Sequence, residues 1–189
     1  IVLSSAMSGV TNKLINLSKK ISNNFSAAEY DVLVSCGEQM SCALLSAELI
    51  NKGFNSRSWM SWQIPIITEG KHKFSRINRI NKTQIITYLK KGGIPIVTGF
   101  QGINLKNRLT TIGRGGTDAS AIMFAKFFNA EKCIIYTDVD GIYSTDPNKH
   151  KKAKKIKVIS YEEMLEMASL GAKVMQPHSI QDARLNRID

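Results

Sequence analysis

Cysteine is scarce in this sequence: there are three, Cys36, Cys42 and Cys133, and no two of them form a CxxC pair. Two sit inside apolar runs, where cysteine serves as a small hydrophobe, so neither a disulfide framework nor a zinc site is expected. Histidine is equally sparse. His72, His150 and His178 are far apart and have no ligand-type spacing around them, and no metal held by protein side chains is expected. No run of about eighteen apolar residues occurs, and IVLSSAMSG lacks a charged stretch ahead of an apolar one. These absences predict a cytoplasmic protein with no membrane partner. Acidic residues are also few, 15 against 26 basic ones, for a net charge of +11. Such a charge raises the question of a nucleic-acid partner. Of the basic residues 19 are lysine, beside 23 isoleucines and 13 asparagines, the joint excess that AT-rich coding produces. The runs KHKF and KHKKAKKIK lack the interleaved aromatics that stack bases, so nucleic acid is not expected as the partner, although a basic nucleic-acid-binding module stays open as an alternative.

What is present is 189 residues with 43% hydrophobic content, enough for one sizeable domain over 1–189. Apolar β-branched runs alternate with helical patterns. IVLSS predicts a strand, and TNKLINLSKKI a helix with Leu14, Leu17 and Ile21 at helical spacing. DVLVSC (31–36) predicts a second strand broken by Gly37, followed by a helix that carries Met40, Ala43, Leu44 and Ala47 on one face and stops at Gly53. WQIPIIT predicts a shorter strand around Pro65; NKTQIITYLKKGG a helix capped by Asn81; IPIVTGF a buried strand; INLKNRLTTIG a hairpin turning at Lys106 and Asn107. After GRGGTDAS, with Asp118 as the candidate cap of the next helix, CIIYTD (133–138) predicts another strand. Ser160 and Glu163 then make a capping box for SYEEMLEMASLG. Strands alternating with helices, and continuously apolar rather than alternating, imply an α/β fold with a mostly parallel sheet covered on both faces.

In such sheets ligands bind beyond the C-terminal ends of the strands. The loops at those ends bring Ser5, Ser8 and Thr11, Gly37 and Glu38, and Thr137, Asp138 and Asp140. Arg114 and Glu38 have opposite charge, and an α-amino acid is a zwitterion. Arginine offers a bidentate fork to a carboxylate and glutamate accepts from an ammonium, so the pair could hold an amino acid with its side chain free. GRGG, with bare backbone before a helix N-terminus, suits an anion.

IVLSSAMSGVTN, SCGEQMSCALL, VTGFQG, TIGRGGTDASA, YTDVDGIYSTDP and SYEEMLEMASLGAKVMQP together resemble the catalytic domain of the aspartokinases, within the amino acid kinase family. The resemblance implies a three-layer αβα sandwich in which ATP and L-aspartate meet at the strand ends, with Mg²⁺ bridging the phosphates. It implies phosphoryl transfer to the side-chain carboxylate, and a homo-oligomer. By position it puts Ser5, Glu38, Arg114 and Thr117 on aspartate, with Arg114 on the α-carboxylate. Asp118 falls between substrate and phosphates, so that Asp118 and Arg114 serve catalysis; Thr137, Asp138, Tyr143 and Lys173 fall near ATP.

The family's opening KFGGT-type segment is expected to be a central strand whose lysine faces the transferring phosphoryl group, and the sequence matches only the region C-terminal to that segment. A separate N-terminal segment is therefore an expected partner, and a nucleotide- or aspartate-binding remnant without activity stays open. Asn148 stands where the family has arginine, and Gln176 where many members have histidine.

Overall fold

A computed structural model of the chain describes residues 1–172 and 174–189. Strand β1 (Val2–Ser4) leads into α1 (Val10–Ile21) and the long α2 (Ala27–Asn51). Then come β2 (Ser56–Trp59), β3 (Ile66–Glu69), β4 (Arg76–Ile80), α3 (Thr83–Lys90), β5 (Ile94–Thr98), β6 (Gln101–Ile103) and β7 (Leu109–Thr111). The chain closes with α4 (Gly116–Phe128), a ribbon of β8 (Ile142–Tyr143) and β9 (Lys155–Ile156), α5 (Tyr161–Ser169) and α6 (Pro177–Asn186).

The parallel sheet has the order β1-β5-β2, with Val2 opposite Ile96 and Ser56 opposite Ile94. A second sheet, β4-β3-β6-β7, is antiparallel except where β3 meets β6. Helix α2 packs on β1, β2, β5 and β7, while α4 touches β1, β4 and β6 and is backed by α6. This is the αβα arrangement that the resemblance implies, with the main apolar core of Trp59, Ile64, Ile66, Ile77, Ile80, Ile85, Val97 and Phe124 between the strands and α3 and α4. No helix among the described residues is long and apolar enough to cross a membrane.

Several local expectations hold. Asn104 Oδ1 accepts from the N–H groups of Lys106 and Arg108, closing the predicted hairpin with Asn107 at φ 55°. Ser160 and Glu163 exchange both bonds of the capping box. Asn81 is not the cap of α3: Lys82 holds that place without a side-chain bond, and Asn81, one residue earlier, accepts from the Thr83 N–H at 3.2 Å.

Two predicted strands are not strands. Residues 31–36 lie inside α2, whose buried positions Asp31, Val34, Ser35, Glu38, Ser41, Cys42 and Ser46 recur at helical spacing. The buried face is polar, and Met40 and Leu44 point outward at 49% and 56% exposure. Tertiary packing overrides the strand preference of the valines and leaves Gly37 inside the helix. A Cβ there would lie 2.8 Å from the Ala6 Cβ, so the bare position lets the β1–α1 loop rest on α2. The segment 133–138 has no ladder partner; it runs along a cavity facing β1, with Ile134 and Tyr136 exposed. Asp118 is not the helix cap either: Gly115, at φ 67°, holds that place and Asp118 falls in the first turn.

The packing predicts that Gly37→Val destabilises the fold by about 1–3 kcal/mol, whereas Leu44→Gln on the exposed face of the same helix stays within about 0.5 kcal/mol. Urea unfolding of both variants checks this; equal stabilities would refute the close approach of the β1–α1 loop.

Candidate active site

Three elements meet at the end of β1. Ser5 Oγ lies 3.0 Å from Thr117 Oγ1, so the β1–α1 loop is bonded to the first turn of α4. The Ala6 N–H donates to Glu38 Oε1 at 3.1 Å, and Ser41 Oγ donates to the Ser5 carbonyl, so the same loop is bonded to α2. Gly99, at the end of β5, must be bare because a Cβ would lie 2.6 Å from Thr117 Cγ2. Ser5, Glu38 and Thr117 are thus drawn together, as the sequence suggests, although Glu38 comes from a helix interior and not from a strand end.

Glu38 is 3% exposed, and its Oε2 is buried without a hydrogen-bond partner among the described residues. Burial pushes its carboxyl up to about 7 against the opposing pull of backbone N–H donors. A buried acceptor left open costs about 1–3 kcal/mol, and a cationic donor would recover it. Asp118 is also raised by burial, with His178 pulling the other way.

Arg114 stands in the Gly-rich loop, exposed, and forms no salt bridge among the described residues. Gly113 and Gly115 flank it at φ 91° and 67°. A Cβ on Gly115 would lie 2.5 Å from Gln176 Cγ, which gives Gln176 a place as packing under the loop. Helix α4 starts here without a side-chain cap; the Gly116 N–H turns back to the Gly113 carbonyl, and the Thr117 and Asp118 amides are left to meet an anion.

A cavity of about 760 Å³ opens beside this cluster, lined by Ser5, Thr117, Asp118 and Thr137 and by the apolar side chains of β1, α4 and the 133–136 segment. Thr137 Oγ1 bonds Asp138 Oδ1 at 3.2 Å, both exposed. Asp138 and Tyr143 stand outside the cavity wall, and the Tyr143 hydroxyl donates to Asp140 Oδ2 at 2.9 Å, holding the Asp140 carboxyl below its usual range. Asn148 is exposed and its N–H turns back to Asp146 Oδ1. The Lys173 expectation lies outside the described residues. No group of three or more His, Cys, Asp or Glu able to hold a metal occurs among the described residues.

Sequence reasoning missed two residues here. Asp31 is fully buried beneath the Gly-rich loop, and its only signal is an acid at the head of an apolar run. Phe100, at φ 65°, packs against Gly116 and carries no sequence signal beyond its place after Gly99.

A profile of the amino acid kinase family matches residues 1–189. The chain is 48% identical over 184 residues to the aspartokinase of Geobacillus stearothermophilus, which covers 97% of this chain and 45% of that protein. It is 44% identical to the aspartokinase of Rickettsia felis, covering 100% of this chain and 48% of that protein. The chain therefore spans about half the length of the curated relatives it matches. Among solved structures it resembles E. coli aspartokinase III in complex with aspartate and ADP, at a TM-score of 0.81 and 32% identity over 95% of this chain and 41% of that one. It also resembles aspartate kinase from Synechocystis, at a TM-score of 0.82 and 37% identity over 97% and 30%. These names give no support to a nucleic-acid-binding module.

The Glu38 shift has a defined sign. Folded, the carboxyl holds its proton up to about 7; unfolded, it releases it near 4.5. Stability therefore falls as pH rises between these values and levels off above them, by up to about 3 kcal/mol. Unfolding free energies near pH 5 and pH 8 check this: the difference should shrink in Glu38→Gln, and an identical profile in both proteins would refute it.

Proposed function

The chain belongs to the amino acid kinase family, and on that footing we propose that it is the catalytic part of an aspartokinase, transferring the γ-phosphoryl group of ATP to the side-chain carboxylate of L-aspartate. The product, 4-phospho-L-aspartate, opens the route to lysine, threonine, methionine and diaminopimelate. One observation carries the substrate assignment: the buried, unpartnered Oε2 of Glu38 beside the Ser5–Thr117 contact. It suits the ammonium of an amino acid, and Arg114 on the facing loop suits the α-carboxylate. The side chain of aspartate is then left to point at the cavity that Asp118 and Thr137 line.

The attacking carboxylate has an ordinary pKa of about 3.9 and is ionised at neutral pH, so the reaction needs no general base. It needs alignment, and cancellation of repulsion between a carboxylate and a triphosphate. Ser5 and Thr117 position the acceptor. The free amides of the α4 N-terminus and Arg114 supply positive potential. Thr137, Asp138, Tyr143 and Lys173 are assigned to the nucleotide. With no side-chain cluster among the described residues to hold an ion alone, Mg²⁺ would take most of its ligands from phosphate and water, with Asp118 as the nearby carboxylate, and would screen phosphate charge.

The cavity has two long walls, β1 and the 133–137 segment, that face each other without a strand between them. Unpaired backbone on both sides of an apolar slot is a template for one more strand. A KFGGT-type segment, in the same polypeptide or supplied separately, fits that slot. On this reading the protein works in the cytoplasm as a homo-oligomer.

ADP release is expected from Mg-ATP when L-aspartate and the KFGGT-type segment are both present; its absence from a folded sample would overturn the assignment and leave a binding remnant. Arg114→Ala should raise the KM for aspartate roughly 30- to 100-fold, the equivalent of about 2–3 kcal/mol for charge-assisted bonds, and leave the KM for ATP within about twofold. An unchanged KM for aspartate would remove Arg114 from the substrate site.

A further inference from the structure

Asp31 is a fully buried carboxylate that none of these roles uses. Taking a carboxylate out of water costs several kcal/mol unless donors replace the lost hydration. Here the Lys73 N–H lies 3.1 Å from both oxygens, Thr111 Oγ1 donates at 2.7 Å, and His72 Nδ1 lies at 2.6 Å. The partners come from two segments only. His72 and Lys73 belong to the loop between β3 and β4, and Thr111 ends β7, two residues ahead of Gly113.

Those two segments are pressed together under the Gly-rich loop. The Ser75 N–H donates to the Thr111 carbonyl at 3.0 Å. A Cβ on Gly113 would lie 3.0 Å from the Lys73 carbonyl oxygen, so the residue before Arg114 rests on the backbone that Asp31 holds. Lys73 itself is in the left-handed region at φ 70°, a conformation that costs a non-glycine residue roughly 1–2 kcal/mol and persists only where its surroundings enforce it. Its ammonium sits 4.2 Å from the centre of the Tyr30 ring. Burial and Asp31 push the Tyr30 phenol up while Arg114 pulls it down.

We propose that Asp31 is a positioning residue for Arg114: it clamps the 70–75 loop to the end of β7 and so fixes Gly113, which sets the direction in which Arg114 leaves the chain toward the substrate carboxylate. The proposal rests on the reading of Arg114 as the carboxylate-binding residue, and two separate measurements keep the two apart. The first does not depend on any ligand. In Asp31→Asn, hydrogen exchange read by mass spectrometry should accelerate at least about tenfold, the scale of one lost charge-assisted bond, over 70–75 and 112–117, while β5 keeps its protection. The second is a titration of the same protein with L-aspartate and with ATP. Affinity for aspartate should weaken about tenfold and affinity for ATP should change less than about twofold.

Should Asp31→Asn fail to fold, Thr111→Val, which removes one donor and keeps the carboxylate, carries the same pattern in weaker form. Lys73→Gly keeps the backbone bonds to Asp31 and should leave aspartate affinity within about twofold. Unchanged exchange at 112–117 overturns the clamp. So does faster exchange everywhere, β5 included, with both affinities falling together, since that is a structural anchor alone. Aspartate binding that ignores Arg114→Ala while the two loops still loosen in Asp31→Asn would sink the substrate assignment and leave the clamp standing.

Discussion

A carboxylate buried in a protein stays useful only if something replaces the water it has lost, and α2 buries two of them seven residues apart. Asp31 and Glu38 lie two turns along one face, about 10.5 Å apart at 1.5 Å per residue. Their surroundings differ. Asp31 is satisfied by donors from two neighbouring segments, whereas Glu38 accepts one backbone N–H and keeps Oε2 open. The satisfied one organises the protein. The unsatisfied one keeps an acceptor open. Because both sit on a single helix, the spacing between the open Glu38 acceptor and the loops that Asp31 bonds is set by helix geometry and not by loop conformation.

The rest of the arrangement is close approach of backbone to that helix and to α4. Gly37 lets the β1–α1 loop lie on α2, and Gly99 lets the end of β5 lie on Thr117. The energetic consequence is that the core beneath the site is held by isoleucine, valine and aromatic packing, while the layer facing the site is held by short hydroxyl and amide bonds among Ser4, Ser5, Ser41 and Thr117. Apolar packing gives stability without direction; hydroxyl networks give direction at modest net energy.

The same division explains what the sequence discloses. Strands β1 and β5, the hairpin at Lys106 and Asn107, and the Ser160–Glu163 box are written in local chemistry, and they appear where that chemistry puts them. The candidate residues Ser5, Glu38, Arg114, Thr117 and Asp118 are named by motif and charge, and the structure draws Ser5, Glu38 and Thr117 together. Helix α2 is not, because its inward face is made of Asp31, Ser35, Glu38, Ser41 and Ser46 and its outward face includes Met40 and Leu44. Any inference from apolar periodicity turns such a helix inside out. The 133–138 run reads as a strand because its residues suit one, but a strand exists only with a neighbour, and pairing is a property of the sheet. Asp31 is invisible for the same reason: its partners are 41, 42 and 80 residues away in sequence.

That the polar layer is carried by a helix and by glycine loops agrees with the charges that the proposed reaction would bring together. A carboxylate must approach a triphosphate, and two like-charged groups meet only where positive potential is fixed in advance. Side-chain cations alone would have to be ordered at the moment of binding, at a cost of up to about 2 kcal/mol each in rotamer entropy. Amides at the start of α4 are ordered already, and the backbone around Arg114 is braced by Gly113 against Lys73 and by Gly115 against Gln176. The net charge of +11 is spread over lysines on solvated surfaces and contributes little at such short range, being screened over about 10 Å at moderate salt. Positive potential at the start of α4 is therefore local and preorganised, and Asp31 on α2 is bonded to the segments beneath it.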